Sequence, residues 1–467
     1  MTLPCRLSLL SLCILLAACA SETPDSAPPQ APGQWQGLQA PVTAIADGPW
    51  WKAFASPQLD ALIEQARSNS FELAAAMARV RQAQASAVIA GAPLLPEVKF
   101  GLDASRERLL RGNGYNGIDA SGSDRTYTAY STSLSASYEV DFWGGKAAAR
   151  DSALSSLDAN RFDRQTVELT LLSGVASSYL QSLALAEQVR IARLNLTNAN
   201  DVLQVVQTRH AAGSATALEL AQQRSLVASQ ERQVPLLEQQ LQDTRITLAT
   251  LLGEPVQQLP AATQAFDAIN WPQIGSGVPS DLLSRRPDIA AAEARLAAAS
   301  ANVKVARAAM LPSLTLGANL GSGAQIFDNL LRNPYYTLTA GLAAPVFNNG
   351  RLEAERDKAQ AEQEELLELY HASIVAGFAD VEKALNSIDG VDRQRQWQDE
   401  EVRQARTAFD LAQSRYRAGA ETLLTVLETQ RSLYQAQDQQ VQLRLARVQG
   451  SVALYKALGG GWQVGRN

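Results

Sequence analysis

Cysteine, histidine and methionine are scarce in this chain: three, two and three of 467 residues. Cys5 and Cys13 lie in the first eighteen residues, and the third cysteine is Cys19. A chain cut before Cys19 keeps one cysteine at its very end, which excludes an intrachain disulfide and a multi-cysteine metal site. His210 and His371 are isolated and not at metal-ligand spacing. No Ser-His-Asp set can be assembled, and no P-loop or dinucleotide fingerprint is present. The acidic residues are scattered along helix faces that water would solvate. Neither enzymatic activity nor a cofactor is expected. Basic charge is also short, with 41 Lys+Arg against 47 Asp+Glu and a net charge of -6. That balance argues against nucleic acid, whose phosphates need a basic face. Beyond the leader no stretch of 18 uncharged apolar residues occurs, so no transmembrane helix is expected. With 46% hydrophobic and 19% charged residues, the chain is nevertheless not a disordered polyelectrolyte.

What is there begins with a leader. Residues 1–18 carry one basic residue, Arg6, and then a short apolar run from Leu7 to Leu16. The run is too short for a bilayer and fits a signal-peptide core. It ends in Leu16-Ala17-Ala18-Cys19, which resembles the bacterial lipobox, in which the cysteine is acylated and becomes the new N-terminus. The plainer alternative is a secretory leader beside an incidental Cys19. Ala20 stands where an aspartate would favour the inner membrane. Residues 19–49, rich in Pro, Ala, Gln and Gly from Ser21 onward, read as a lipid-anchored linker.

Two or three globular domains would fit the length, but the chain repeats itself. Leu95-Pro96 with Gly101 matches Leu311-Pro312 with Gly317, and Arg79 matches Arg295. Phe142-Trp143-Gly144-Gly145-Lys146 matches Phe347-Asn348-Asn349-Gly350-Arg351, and Arg209-His210-Ala211-Ala212-Gly213 matches Arg415-Tyr416-Arg417-Ala418-Gly419. The repeats span 50–255 and 280–460, joined by a linker over 256–279 and followed by a tail over 461–467.

Each repeat carries a long helical hairpin. Leu171, Val175, Ser178, Ser182, Leu185, Val189, Ala192, Leu196, Ala199, Leu203 and Val206 alternate by four and three, a heptad seam. Gly377, Val381, Ala384, Ile388, Val391, Arg395, Gln398, Val402, Ala405, Phe409 and Ala412 repeat it. A helix from Lys146 to Arg209 would be roughly 95 Å long. Pro235 falls inside the first returning arm, where a kink is expected.

Four strands are expected, over about 96–106, 127–142, 312–322 and 335–347. In the second, Tyr130, Thr132, Leu134, Ala136, Tyr138, Val140 and Phe142 alternate with Ser131, Ser133, Ser135, Ser137, Glu139 and Asp141. A half-buried soluble sheet shows the same pattern. Strand lengths near ten residues, aromatic ends and an exported chain point instead to an outer-membrane barrel. Gly112-Asn113-Gly114 and Gly321-Ser322-Gly323 read as external loops. Four strands cannot close a barrel, and open edges are not tolerated in lipid. The barrel is therefore shared between copies. Four helices per chain at about 10 Å spacing leave a lumen of roughly 28 Å in a trimer and roughly 15 Å in a dimer.

These residues resemble the TolC-like outer-membrane efflux factors, in the lipoprotein branch called NodT-type. The specific marks are Trp50-Trp51-Lys52-Ala53-Phe54 leading into Pro57-Gln58-Leu59, and Ser284-Arg285-Arg286-Pro287-Asp288-Ile289. The resemblance covers nearly the whole mature chain. It implies an α+β membrane fold: a homotrimer with a twelve-stranded outer-membrane β-barrel, four strands per chain, continuous with a periplasmic α-helical coiled-coil tunnel. The implied role is the exit duct of a tripartite pump for drugs or small molecules. Its partners would be outer-membrane lipid, a periplasmic adaptor protein and an inner-membrane, proton-driven transporter.

The turns Ala211–Thr216 and Ala418–Thr422 would lie at the periplasmic tip. Gly213 and Gly419 end the descending helices, and Thr216 and Thr422 cap the returning ones. The resemblance adds that Arg209, Gly213, Thr216, Arg415, Gly419 and Thr422 contact the adaptor. It also implies that Leu424 and Glu428, four apart on one helix face, form an apolar and an acidic ring that close the resting pore. In some relatives an aspartate stands at the place of Glu428 and another acid at that of Thr425. Two alternatives remain: a lipid-anchored periplasmic coiled-coil scaffold without a pore, or a duct for metal-ion or protein secretion. Three methionines and two histidines give no support for a copper exporter.

Overall fold

The computed structural model describes residues 29–36, 49–110, 126–272, 274 and 278–460. The leader, Cys19, most of the linker behind it, Gly112-Asn113-Gly114 and the tail lie outside the described residues. The elements are α1 (Pro57–Asn69), α2 (Phe71–Gly91), β1 (Glu97–Arg108), β2 (Thr126–Val140), α3 (Gly145–Ala211) and α4 (Ala217–Leu251). Then follow α5 (Leu282–Arg285), α6 (Pro287–Ala308), β3 (Ser313–Ala324), β4 (Pro334–Ala343), α7 (Arg351–Arg417) and α8 (Leu423–Ala457).

The duplication is exact in the long helical hairpins. α3 and α7 are each 67 residues long, and α4 and α8 are each 35. Adding 206 to both ends of α3 and α4 gives both ends of α7 and α8. At about 1.5 Å per residue the long helices reach roughly 100 Å. Both begin after a glycine in the left-handed region, Gly144 at φ 71° and Gly350 at φ 77°. Asp141 then caps α3, its carboxylate accepting from the Lys146 and Ala147 amides at 3.0 and 2.8 Å. At the head of the first repeat Ser56 and Ser70 accept from the Leu59 and Leu73 amides, capping α1 and α2.

Every seam residue named above is buried or half-buried. α3 packs against α4 on one side and α8 on the other, and α8 packs against α7. The four long helices thus pack side by side in the order α4, α3, α8, α7. Pro235 lies within α4 without ending it. One 18-residue window of α3 has a mean hydropathy of 1.3, but 61% of it is buried, as in a core helix.

The largest core sits where the short helices meet the hairpins, around Phe54, Leu59, Ile63, Val175, Tyr179, Leu252 and Val448. Trp50 stacks on Tyr455 with ring centroids 5.3 Å apart. Gly253, at φ 72°, ends α4 so close to α1 that a Cβ there would lie 2.6 Å from the Asn69 carbonyl oxygen. In the second repeat the buried Arg286 binds Asp288 at 2.6 Å and Asp380 at 3.0 Å, tying α6 to α7.

The four strands form one antiparallel sheet in the order β1-β2-β3-β4. β4 stops at Ala343, short of Pro345, which has no N–H for the ladder. Gly321-Ser322-Gly323 is not a loop. It lies within β3, where Gly321 stands opposite Ser133 on one side and Tyr335 on the other. A Cβ at Gly321 would lie 2.7 Å from the Tyr335 ring, so glycine there makes room for an aromatic side chain across the strand.

Candidate channel wall and periplasmic tips

The register sorts the sheet into two faces. Phe100, Leu134, Leu320 and Tyr336 stand in one row across all four strands, and Val98, Ala136, Ala318 and Leu338 in another. The intervening rows are polar or small: Lys99, Ser135, Asn319 and Thr337, and then Gly101, Ser133, Gly321 and Tyr335. The apolar rows are open to the surroundings within one copy, with Phe100 73% and Tyr336 77% exposed. An apolar band outside and a polar face inside is the arrangement a lipid-spanning barrel requires. Among the described residues β1 and β4 each pair on one side only, so the sheet ends in two open edges.

At the other end of the molecule the hairpins turn. Gly213 and Gly419 adopt φ 74° and 76°, and just beyond them Ser214 N donates to Arg209 O and Ala420 N to Arg415 O, at 2.8 and 2.9 Å. This is the glycine-terminated helix end expected from the sequence. Thr216 caps α4 in a full capping box, accepting from Glu219 N at 3.2 Å while Glu219 accepts from Thr216 N at 2.6 Å. Thr422 caps α8 by accepting from Thr425 N. Here the acid precedes the cap. Glu421 accepts from the Thr422 amide and the Thr425 hydroxyl, both at 3.1 Å, and faces Arg415 at 3.6 Å. These partners, the Thr422 amide foremost, hold its carboxyl below the usual range.

The two tips are joined. Arg209 donates to the Tyr416 carbonyl oxygen at 2.8 Å and lies 4.6 Å over the Tyr416 ring. Burial raises the Tyr416 hydroxyl pKa more strongly than Arg209 lowers it. Beneath this clasp Val202, Val206, Phe409, Leu423, Val426 and Leu427 form a core shared by both hairpins. Leu424 and Glu428 point away from that core and are exposed together on one face of α8. Their counterparts in α4 are Leu218, also exposed, and Gln222.

Sequence reasoning found the turns and caps but missed the clasp. The signal was present in the aligned pair His210 and Tyr416, where only the second repeat has a ring that Arg209 can cover. It also missed Trp271, between the repeats, which lies under Arg395 at 4.1 Å and Arg444 at 4.7 Å. Among the described residues no group of three or more His, Cys, Asp and Glu side chains is placed to hold a metal ion.

The family profile described as "Outer membrane efflux protein" matches residues 62–254 and 278–460, once per repeat. The chain belongs to that family. It is similar to the "Pyoverdine export outer membrane protein OpmQ" of Pseudomonas putida KT2440, with 68% identity over 464 residues and 99% of each chain covered. The protein of the same description from Pseudomonas aeruginosa PAO1 is 64% identical over 463 residues, covering 99% of this chain and 98% of the relative. Among solved structures the outer-membrane channel OprN superposes with a TM-score of 0.87 at 26% identity, over 95% of this chain and 100% of the other. CusC, described for its transmembrane channel formation, gives 0.83 at 27% identity, over 94% and 100%.

This family member is an outer-membrane efflux channel and not an enzyme. The four-stranded sheet is its outer-membrane part and the long hairpins its periplasmic part.

Proposed function

We propose that this channel is the outer-membrane exit for pyoverdine. One observation carries the reading: the two pyoverdine-export relatives are 68% and 64% identical to it over essentially its full length. A toluene-pump relative, TtgF of Pseudomonas putida, reaches only 32% over comparable coverage. The duct is passive, a trimer whose twelve strands close the barrel by pairing β4 of one copy with β1 of the next. That pairing removes both open edges, and the exposed apolar rows then meet lipid. Cys19 carries the lipid that anchors the chain in the outer membrane. The tips, with Arg209, Gly213, Thr216, Arg415, Gly419 and Thr422, receive a periplasmic adaptor that leads to an inner-membrane transporter. Leu424 and Glu428 line the narrowest part of the resting pore, and their shared exposure beside a buried tip core supports that role.

Deleting the gene in its native host, under conditions in which pyoverdine is made, tests the reading. Pyoverdine in the medium is expected to fall severalfold while pyoverdine in the periplasmic fraction rises, and the intact gene is expected to restore both. Unchanged secretion in the deletion strain refutes the cargo assignment.

A further inference from the structure

The helical wall has two kinds of contact between hairpins, and only one is formed inside a single copy. Within the chain α3 meets α8. α4 and α7 are left as the outer edges of the wall. Because α7 is α3 moved by 206 residues, and α8 is α4 moved by the same number, closing the ring places α7 against α4 of the next copy. That contact repeats the α3–α8 contact, with 206 added on one side and subtracted on the other.

The inner contact is defined by three hydrogen bonds. Gln188 Nε2 donates to Asp438 Oδ1 at 2.6 Å, Tyr434 Oη donates to the Asn195 carbonyl at 2.8 Å, and Gln449 Nε2 donates to Gln181 Oε1 at 3.3 Å. Ile191, Asn195, Tyr434, Gln435 and Asp438 line a common cavity of about 190 Å³ there. The corresponding residues at the outer contact are Trp397, Glu401, Ala228, Ser229 and Arg232. The sizes are inverted. Inside the copy the bulky ring is Tyr434, on the ascending arm, facing Ile191. At the edge the bulky ring is Trp397, on the descending arm, and the positions facing it are Ala228 and Ser229.

Charge is complementary as well. Asn195 and Asp438 become Glu401 and Arg232, and Gln188 with Asp438 becomes Gln394 with Arg232. Arg232 and Glu401 are exposed, and neither has an ion-pair partner among the described residues of its own copy. Trp397 is 76% exposed, an unusual state for an indole on a water-facing helix.

We propose that Trp397 seats on Ala228 and Ser229 of the neighbouring copy, with Glu401 paired to that copy's Arg232, and so locks adjacent copies together along the periplasmic tunnel. The small residues admit the ring, and Arg232 lies within reach of both its face and the carboxylate. This inference rests on the ring assembly proposed above and adds the residues that join its members.

Full-length protein in its native outer membrane, carrying W397C with S229C, is to be treated with a short bis-maleimide. A covalent trimer on a denaturing gel is expected, while W397C alone, S229C alone, and W397C with L218C, about 16 Å further along the helix, stay monomeric. No covalent trimer from W397C/S229C, in protein that migrates as a trimer on a native gel, overturns the contact. Native migration as a monomer instead overturns the ring assembly itself. A charge swap supplies a second readout. Arg232→Glu and Glu401→Arg should each lower the temperature at which the trimer dissociates, and the double swap should restore it. Equal losses in all three variants overturn the ion pair and with it the seat.

Discussion

Removing the Arg209 side chain is the most direct perturbation of the tip. Arg209→Ala deletes a hydrogen bond from a charged donor to the Tyr416 carbonyl at 2.8 Å and a cation–π contact at 4.6 Å. Because the site is only partly buried, the low ends of both ranges apply: about 1.5 kcal/mol for the first and about 0.5 kcal/mol for the second. The Tyr416 carbonyl still accepts from Gly419 N at 3.0 Å, so no buried acceptor is left bare and no further penalty arises. A loss of about 2 kcal/mol favours separation of the two tips by roughly thirtyfold, at about 1.4 kcal/mol per factor of ten. Hydrogen exchange reads this directly, because the Ser214 and Ala420 amides are bonded within the turns that the clasp holds. Their exchange in the assembled protein is expected to quicken by about that factor, and resting conductance in planar bilayers to rise with it. Arg209→Lys keeps the charge but not the flat group that covers a ring, and should recover part of the loss. Exchange within twofold of wild type in Arg209→Ala would mean that the shared core beneath, around Val206, Phe409 and Leu427, holds the tips alone.

Two further outcomes concern the second hairpin. Leu424→Ala is expected to raise resting conductance severalfold, and Glu428→Gln to shift the reversal potential in a salt gradient toward weaker cation preference; unchanged values in both would remove these residues from the pore. Glu421 makes the second tip sensitive to acid. Its folded pKa is depressed below 4.5, so its stabilising contribution is complete above about that pH and is lost as pH falls through the lowered folded value. Exchange at residues 415–425, corrected for intrinsic rates, should therefore rise on acidification below pH 4.5 in wild type, and the additional rise should be absent in Glu421→Gln.

Periodicity carried the architecture because each period has one physical reading. The four-three spacing from Leu171 to Val206 fits only a helix whose seam faces another helix, and every position in it is buried or half-buried. The alternation in Tyr130–Val140 fixed which residues share a face before the register was known, and the rows through Leu134 and Ala136 follow it. The glycines at 213 and 419 were legible because a helix end needs a left-handed residue. Gly321-Ser322-Gly323 misled for the complementary reason. Glycine also serves where a neighbour needs space, and that neighbour, Tyr335, lies on another strand. The Arg209–Tyr416 clasp and the stack of Arg395, Trp271 and Arg444 join residues more than a hundred positions apart, or across the repeat boundary. No local pattern announces such pairs.

The equal lengths of the two hairpins and the unequal chemistry along them belong together. A tube of identical hairpins would have identical contacts all round, and every tip would carry the same ring of side chains. Here the backbone repeat is kept to the residue while particular positions diverge: His210 against Tyr416, Gln222 against Glu428, Ile191 against Trp397. The first difference lets Arg209 hold the hairpins of one copy to each other. The second puts a carboxylate beside exposed Leu424 in one hairpin and a neutral amide beside exposed Leu218 in the other, so that the proposed three-copy ring would carry three charges at this level and not six. Six carboxylates at one level would repel one another more strongly than three. A duplicated chain can therefore keep the geometry of a regular tube and still give its alternate hairpins separate work, which a ring of six identical half-length chains could not do.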